Sequence, residues 1–361
     1  MTLANQSPHS IGKVWAMPLT AAAVVCLSFF LFISFFNRAE SLVFVEFADG
    51  AVFRNDLSTA ILESGSQLPA GTVQIESASG SAQLRFDDGT LVTLEGESEL
   101  AISDSRQGKW LQLRSGRLSA DVAAQPADAP LRITTPTAEA EVLGTALSLN
   151  ANAEETGLAV DEGLVRLRRL VDGQSVEVPA RHEAIATLHS TGELLIRASS
   201  QPSSTWRLDP EASDVRVTKG EPIQLDGQLV YLGQPYLAGH ASDGAKQVRS
   251  GIAINGEFVS LNANSRFRLR YHSESPLTVF LVTQRENGGF GGNFECRLES
   301  EPLLPDSNGW REALVSMSDF QPVAALRHRG FHLDGNTVTK IIISVHGDES
   351  IQLATLAVTD E

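Results

Sequence analysis

The side chains with the most reactive chemistry in these 361 residues are few: eight histidines and two cysteines, Cys26 and Cys296. His328 and His332 stand four apart, a spacing that puts both rings on one side of a helix or of a strand, where they could ligate zinc. The surrounding RHRGFHLDG holds two glycines among strand-like segments, so a surface loop is the simpler expectation. The acid pairs Asp87-Asp88 and Asp161-Glu162 offer oxygens to calcium, yet each falls in a polar-glycine turn that needs no metal. No serine–histidine–acid order, nucleophile elbow or paired-carboxylate cleft emerges from the sequence. The reading is of a non-catalytic chain with no cofactor and no metal site, in which Cys296 is a small buried hydrophobe.

Sugar binding asks for different residues: aromatic faces that stack on pyranose rings beside a few polar groups. Tyr236, His240, Asn287, Phe290, Asn293 and Trp310 are the candidates. The stretch ENGGFGGNF (286–294) holds four glycines and reads as a hairpin tip, mobile or forming a ligand-facing rim. It has no Gly-x-Gly-x-x-Gly entry into a helix, which argues against a nucleotide site. Trp310, directly after Asn308-Gly309, equally suits the start of a core strand.

The elements that must carry these residues follow from composition and pattern. A formal charge of −16 excludes a sequence-independent grip on nucleic acid, which needs a basic surface. With 42% hydrophobic and 20% charged residues the chain can offset its ordering entropy, and its length suits about two domains. No side chain between 14 and 37 is charged. As a helix at about 1.5 Å per residue this run covers about 36 Å, enough to cross a hydrocarbon core of about 30 Å. It is too long for a cleaved signal, and no small-x-small site follows it. One transmembrane helix is therefore expected at 14–37, with Cys26 inside it and 1–13 as a short cytoplasmic tail. Lys13 and Arg38 flank the span with one positive charge each, so its orientation rests on the tail having no core of its own.

Beyond residue 40 the texture is all-β. LVFVEF (42–47), AVF (51–53), AQLRF (82–86), LVTL (91–94), WLQLRSGRLSADV (110–122), LRIT (131–134), AEVLGTALSLN (140–150), GLAV (157–160) and LVRLRRL (164–170) read as strands, and 57–63 is the one weak helical candidate. Turns at Asp88-Gly89, Ser115-Gly116, Glu162-Gly163 and Asp172-Gly173 separate them at irregular spacings, which suits a sandwich or roll of short hairpins and gives no fixed repeat. ASSQPSSTWRLDPEASD loses the alternation and reads as a linker at 201–214, between a first β domain at 41–200 and a second at 215–361. In the second, the runs LTVFLV and KIIISV predict central strands covered on both faces of a jelly-roll-like sandwich.

Taken in order, LRFDDGTLVTLEGESEL (84–100), WLQLRSGRLSADV (110–122), ITTPTAEAEVLGTALSLN (133–150) and LAVDEGLVRL (158–167) resemble the FecR domain family, over about 70–190. The residues that carry the resemblance are Asp88, Gly89 and Thr90, then Gly116, Thr135, Pro136, Gly144, Thr145, Glu162 and Gly163. They set backbone: Gly89 and Gly163 supply positive φ to tight hairpins, Thr135-Pro136 an extended entry, and Gly144 a bulge. The resemblance implies a periplasmic domain of a single-pass bacterial inner-membrane protein that signals to a sigma factor. A tail of 13 residues is shorter than the sigma-binding region such proteins carry. The region 215–361 looks like galactose-binding-like and other carbohydrate-binding β-sandwiches, in FRLRYHSESPLTVFLVTQ, GWREALVSMSDFQP and VTKIIISVHGDESIQLATLAV. The combined expectation is a non-catalytic sensor or anti-sigma-type regulator whose partner is a membrane or envelope protein, the alternative being an envelope-anchored carbohydrate-binding module; neither contacts nucleic acid.

Overall fold

The computed structural model describes residues 43–360 apart from 106–107, 190–191, 200–201, 209–215, 241–245, 287, 300–304 and 348. The fold is all-β, with two short 3-10 turns, Met317–Asp319 and Ala324–Leu326. Among the described residues no helix is long and apolar enough to cross a membrane, and the run 14–37 lies outside them. The segment 57–63 is not helical: Thr59–Ile61 is an edge strand paired with Ala51–Arg54. Three residues cannot make a helical turn worth nucleating, whereas pairing satisfies their backbone at once.

Residues 41–361 form one compact unit, in which two β bodies each have their own core. The first, Val43 to Ala198, is two sheets face to face. Strand alternation makes its core: Leu94, Leu118, Leu149, Leu158 and Ala184 lie in one row across five neighbouring strands and all point inward. The long strand Gly108–Asp121 belongs to both sheets. Its first half pairs with Ser98–Ser105 and Leu131–Thr134, its second with Leu91–Glu95 and Ala146–Ala151. The changeover falls at Gly116, whose φ of 91° only glycine adopts cheaply and whose Cβ would stand 2.2 Å from the Ser98 hydroxyl.

Gly144 does not sit in a bulge. Leu143–Thr145 is the crossing from Ala138–Val142 in one sheet to Ala146–Ala151 in the other, and Gly163 makes the return crossing into Leu164–Arg169. The two crossings touch: a Cβ on Gly163 would meet the Thr145 methyl at 2.5 Å. Thr135–Thr137 closes a hairpin, with Thr135 and Thr137 both hydrogen-bonded to the buried Thr156 hydroxyl at 2.6 and 2.7 Å. Asp88 caps its turn by accepting from the Thr90 amide and hydroxyl, both at 3.0 Å.

The second body is also two sheets. One runs Glu221–Leu225, Gln228–Leu232, Gln352–Asp360, Ser265–His272, Arg311–Ser316. The other runs Arg216–Lys219, Lys246–Ser260, Thr337–His346, Leu277–Gln284, Phe290–Leu298, Gln321–Pro322. Part of the expected linker belongs to this body, because Trp206–Arg207 pairs with Gln352–Asp360 and Trp206 packs on the core. Ile254, Ile341, Leu281 and Phe294 form an inward row across four strands.

Candidate functional site

The outward rows of that second sheet explain why its central strands are almost continuously apolar. Ala253, Ile342 and Phe280 lie side by side on the outer face, and they share a third core with Phe47 and Ala78 of the first body. The first body answers with the outer face of its own sheet, where Thr93, Ser119 and Ser148 are buried although they point away from their core. Small hydroxyl residues let one sheet approach the other closely.

The seam is stitched by polar groups set between the apolar ones. Lys340 and Asn293 flank Val282 in one cross-strand row. The buried Lys340 ammonium donates to the Ala78 carbonyl at 3.3 Å and the Gly96 carbonyl at 3.5 Å. The Gly96 turn is bent into place by Glu97, which takes a positive φ of 64°. Burial pushes the Lys340 pKa down, and Glu95 and Glu97 pull it partly back. The Asn293 amide donates to the Ser81 hydroxyl at 2.8 Å, and the Ser77 hydroxyl to the Ala238 carbonyl at 2.8 Å. Arg329 reaches Glu46 at 3.2 Å and lies over the Phe47 ring.

The sequence-selected residues fall into separate places. Tyr236, Phe290 and Asn293 are all buried in or beside this seam. Phe290 stacks on Phe47 with ring centres 5.5 Å apart and meets Phe331 edge-on at 5.5 Å. Burial pushes the Tyr236 phenol up, against the pull of Ser344 and Arg249. Asn287 and the side chain of His240 lie outside the described residues. Trp310 belongs to the other sheet's side of the sandwich, under the Arg270 guanidinium and at the edge of His272. No single surface collects the four that are described.

The glycine-rich tip is docked instead of free. A Cβ on Gly288 would land 2.1 Å from an Asp161 carboxylate oxygen, and Gln284 donates to that carboxylate at 3.3 Å. A cleft of about 130 Å³ remains beside it, lined by Gln83, Asp121, Glu162, Arg285, Phe290 and Phe331. His328 and His332 lie in the loop after Ala324–Leu326, with His332 Nδ1 3.3 Å from the Asp334 carbonyl. No group of three metal-ligating side chains gathers among the described residues. Cys296 is buried, and burial together with nearby Asp319 pushes its thiol up to about 11, so the nucleophilic thiolate is scarce at neutral pH.

Sequence reading missed Phe47, Ser77, Ala78, Ser81 and Lys340. The signal for Lys340 was present: one lysine inside TVTKIIISV, at an outward position followed by the outward Ile342 and Ser344.

Asp88, Thr135, Gly144 and Gly163 occupy corners of one two-sheet body, whereas Gly116, expected in a turn, lies inside the continuous strand Gly108–Asp121 where it passes from one sheet to the other. Residues 73–166 match the family model described as FecR protein. The FecR domain thus covers the sheet-sharing strand and both crossings. A structure of a protein from Parabacteroides distasonis ATCC 8503 described as an anti-sigma factor aligns with 17% identity and a TM-score of 0.32, over 36% of this chain and 59% of that one. This chain thus spans about three fifths of the length of that structure. The family 11 carbohydrate-binding module of the cellulase Lic26A-Cel5E of Clostridium thermocellum aligns with 11% identity and a TM-score of 0.27, over 45% of this chain and 90% of that one. Among curated proteins none matches the chain.

Proposed function

We propose that this is a membrane-anchored, non-catalytic sensor and interaction protein in transmembrane signalling of the sigma-factor-regulating kind. In this reading the FecR domain and the second sandwich work as one body outside the cytosol, held by the apolar run 14–37. The observation that carries it is the seam. A buried aromatic cluster and the Lys340 bridge fasten the sandwich to the FecR domain, so a load on one is borne by the other. The glycan-binding reading is the weaker, because Tyr236, Phe290 and Asn293 are packed against the FecR domain and offer no free face for stacking.

Fractionation of cells making the full chain tests the proposal, alongside a variant lacking 14–37. The full chain is expected in carbonate-resistant membranes and the variant is not. Crosslinking is expected to recover a membrane or envelope protein whose deletion changes a sigma-factor-dependent reporter. A full chain found only in the soluble fraction would overturn the anchoring. A sigma factor held directly by residues 1–13 would replace the partner-mediated route with direct sequestration.

A further inference from the structure

The second sandwich has two outer faces, and only one is spent on the seam. The other is the outside of the sheet that contains Ser265–His272. Phe267, Leu269 and Tyr271 of that strand point into the core, so Arg266, Arg268 and Arg270 point out. Cross-strand pairing widens the row: Arg268 lies opposite Ala357 on one side and Leu314 on the other, and Arg207 lies beyond Ala357. Arg207 and Arg268 are exposed, and Leu314 is 56% exposed. Four arginines and one bare leucine thus share a patch of about 13 Å by about 14 Å, taking strand rise and spacing into account.

This patch sets four arginines beside Asp306 and Glu312 on a molecule whose net charge is −16. An acidic protein gains nothing in solubility from gathering arginines on one face, but it gains orientation: an acidic partner is repelled elsewhere and drawn here. The composition is that of an interface, where arginine and tryptophan are enriched. Trp310 sits under Arg270. Among the described residues Arg311–Ser316 is the last strand of its sheet, so its outer edge can accept an added strand. The charge is also a mosaic. Arg270 meets Asp306 at 3.4 Å and Glu312 at 3.9 Å, and such interleaving suits discrete side chains better than the smeared charge of a bilayer.

We infer that the Arg207–Arg266–Arg268–Arg270 face, with Leu314 and the Arg311–Ser316 edge, is the docking surface for an acidic, strand-forming segment of a partner protein. It deepens the sensor reading by placing the partner on the second sandwich, and it is tested separately from signalling. Full-length protein in non-ionic detergent is titrated, by fluorescence anisotropy, into a labelled peptide of about ten residues alternating Glu and Thr, with a Gln–Thr peptide as control. The expected result is saturable binding of the acidic peptide alone, weakened by salt. Affinity is expected to fall about tenfold or more in R207E/R268E, several-fold in R207Q/R268Q, and not at all in R166E on the FecR domain. Equal binding by both peptides, or by R207E/R268E and wild type, would overturn it. So would binding of phosphatidylglycerol vesicles or polygalacturonate with none of the peptide. A failure here leaves the membrane and crosslinking tests of the sensor reading standing, and a failure there leaves this titration interpretable.

Discussion

The ammonium of Lys340 sits on the outer face of its sheet, between Asn255 and Val282 on the neighbouring strands, and reaches two carbonyls of the FecR domain. Burial holds its pKa below the usual 10.5, so between the folded value and 10.5 the unfolded chain binds more protons and stability rises with pH. Lys340→Met removes that proton linkage and the cost of burying a charge while stranding two carbonyls. At neutral pH the variant is expected within about 1 kcal/mol of wild type. As pH rises toward about 10 the melting-temperature difference is expected to move in favour of wild type. Parallel profiles in a pH series of thermal melts would exclude a proton-linked role. Asp88 behaves in the opposite sense. Partial burial pushes its carboxyl up, but Lys109 at 2.5 Å, Gln125 at 2.6 Å and the Thr90 amide outweigh it and hold the pKa at about 2. Its contribution is complete above the unfolded value near 3.8 and lost as pH falls toward 2. Because the group is partly exposed, Asp88→Asn is expected to cost only about 1 kcal/mol at pH 7. The gap between urea midpoints is expected to close at about pH 2.

At the scale of elements, glycines with the same φ carry different loads. Gly89 and Gly116 both stand at 91°, but a Cβ on Gly89 meets nothing within 4 Å, whereas on Gly116 it strikes Ser98 at 2.2 and 2.5 Å. Gly89→Ala is expected to cost about 1 kcal/mol, the backbone penalty alone. Gly116→Ala is expected to cost about 3 kcal/mol, because the strand shared by both sheets has to shift. Equal shifts in denaturant midpoint would mean that the changeover is not braced against Ser98. Strand alternation made the inner rows legible in the sequence, and glycine after a polar residue marked the hairpin at Asp88-Gly89, but at Glu162-Gly163, where the same pattern predicts a hairpin, the chain crosses to the other sheet. Short strands such as Gly71–Ile75 and His182–Thr187 carry too few residues for period two to stand out. Gly144 looked like a bulge because sequence reports a break in a run and not which sheet the chain enters next. The exposed ladder Glu177–Arg166–Glu141–Arg132, with links of 3.3, 3.5 and 3.2 Å, was hidden for a similar reason: its members come from two hairpins that are separate in sequence.

For the whole molecule, the apolar runs LTVFLV and KIIISV carried more than the core of one sandwich. Two-sided burial of those strands was readable, but the second side faces another domain, and no local pattern names what covers it. That is why Phe290 and Asn293 looked like ligand contacts: an aromatic and an amide beside glycines serve a sugar site and a domain seam equally well. The seam joins the first body to the second sandwich, since separating them exposes the Phe47–Phe290–Phe331 stack and leaves Asn293 and Lys340 without Ser81 and the Ala78 carbonyl. Wild type is therefore expected to unfold in one calorimetric transition, while each body keeps a large core of its own. Phe47→Ala combined with Phe290→Ala removes the aromatic contact without touching either inner core, and about 3 kcal/mol or more of coupling is lost. The double variant is expected to show two transitions, with both inner cores still protected in hydrogen exchange between them. A wild type that already melts in two steps, or a double variant that still melts in one, would mean that the bodies are not coupled through this seam.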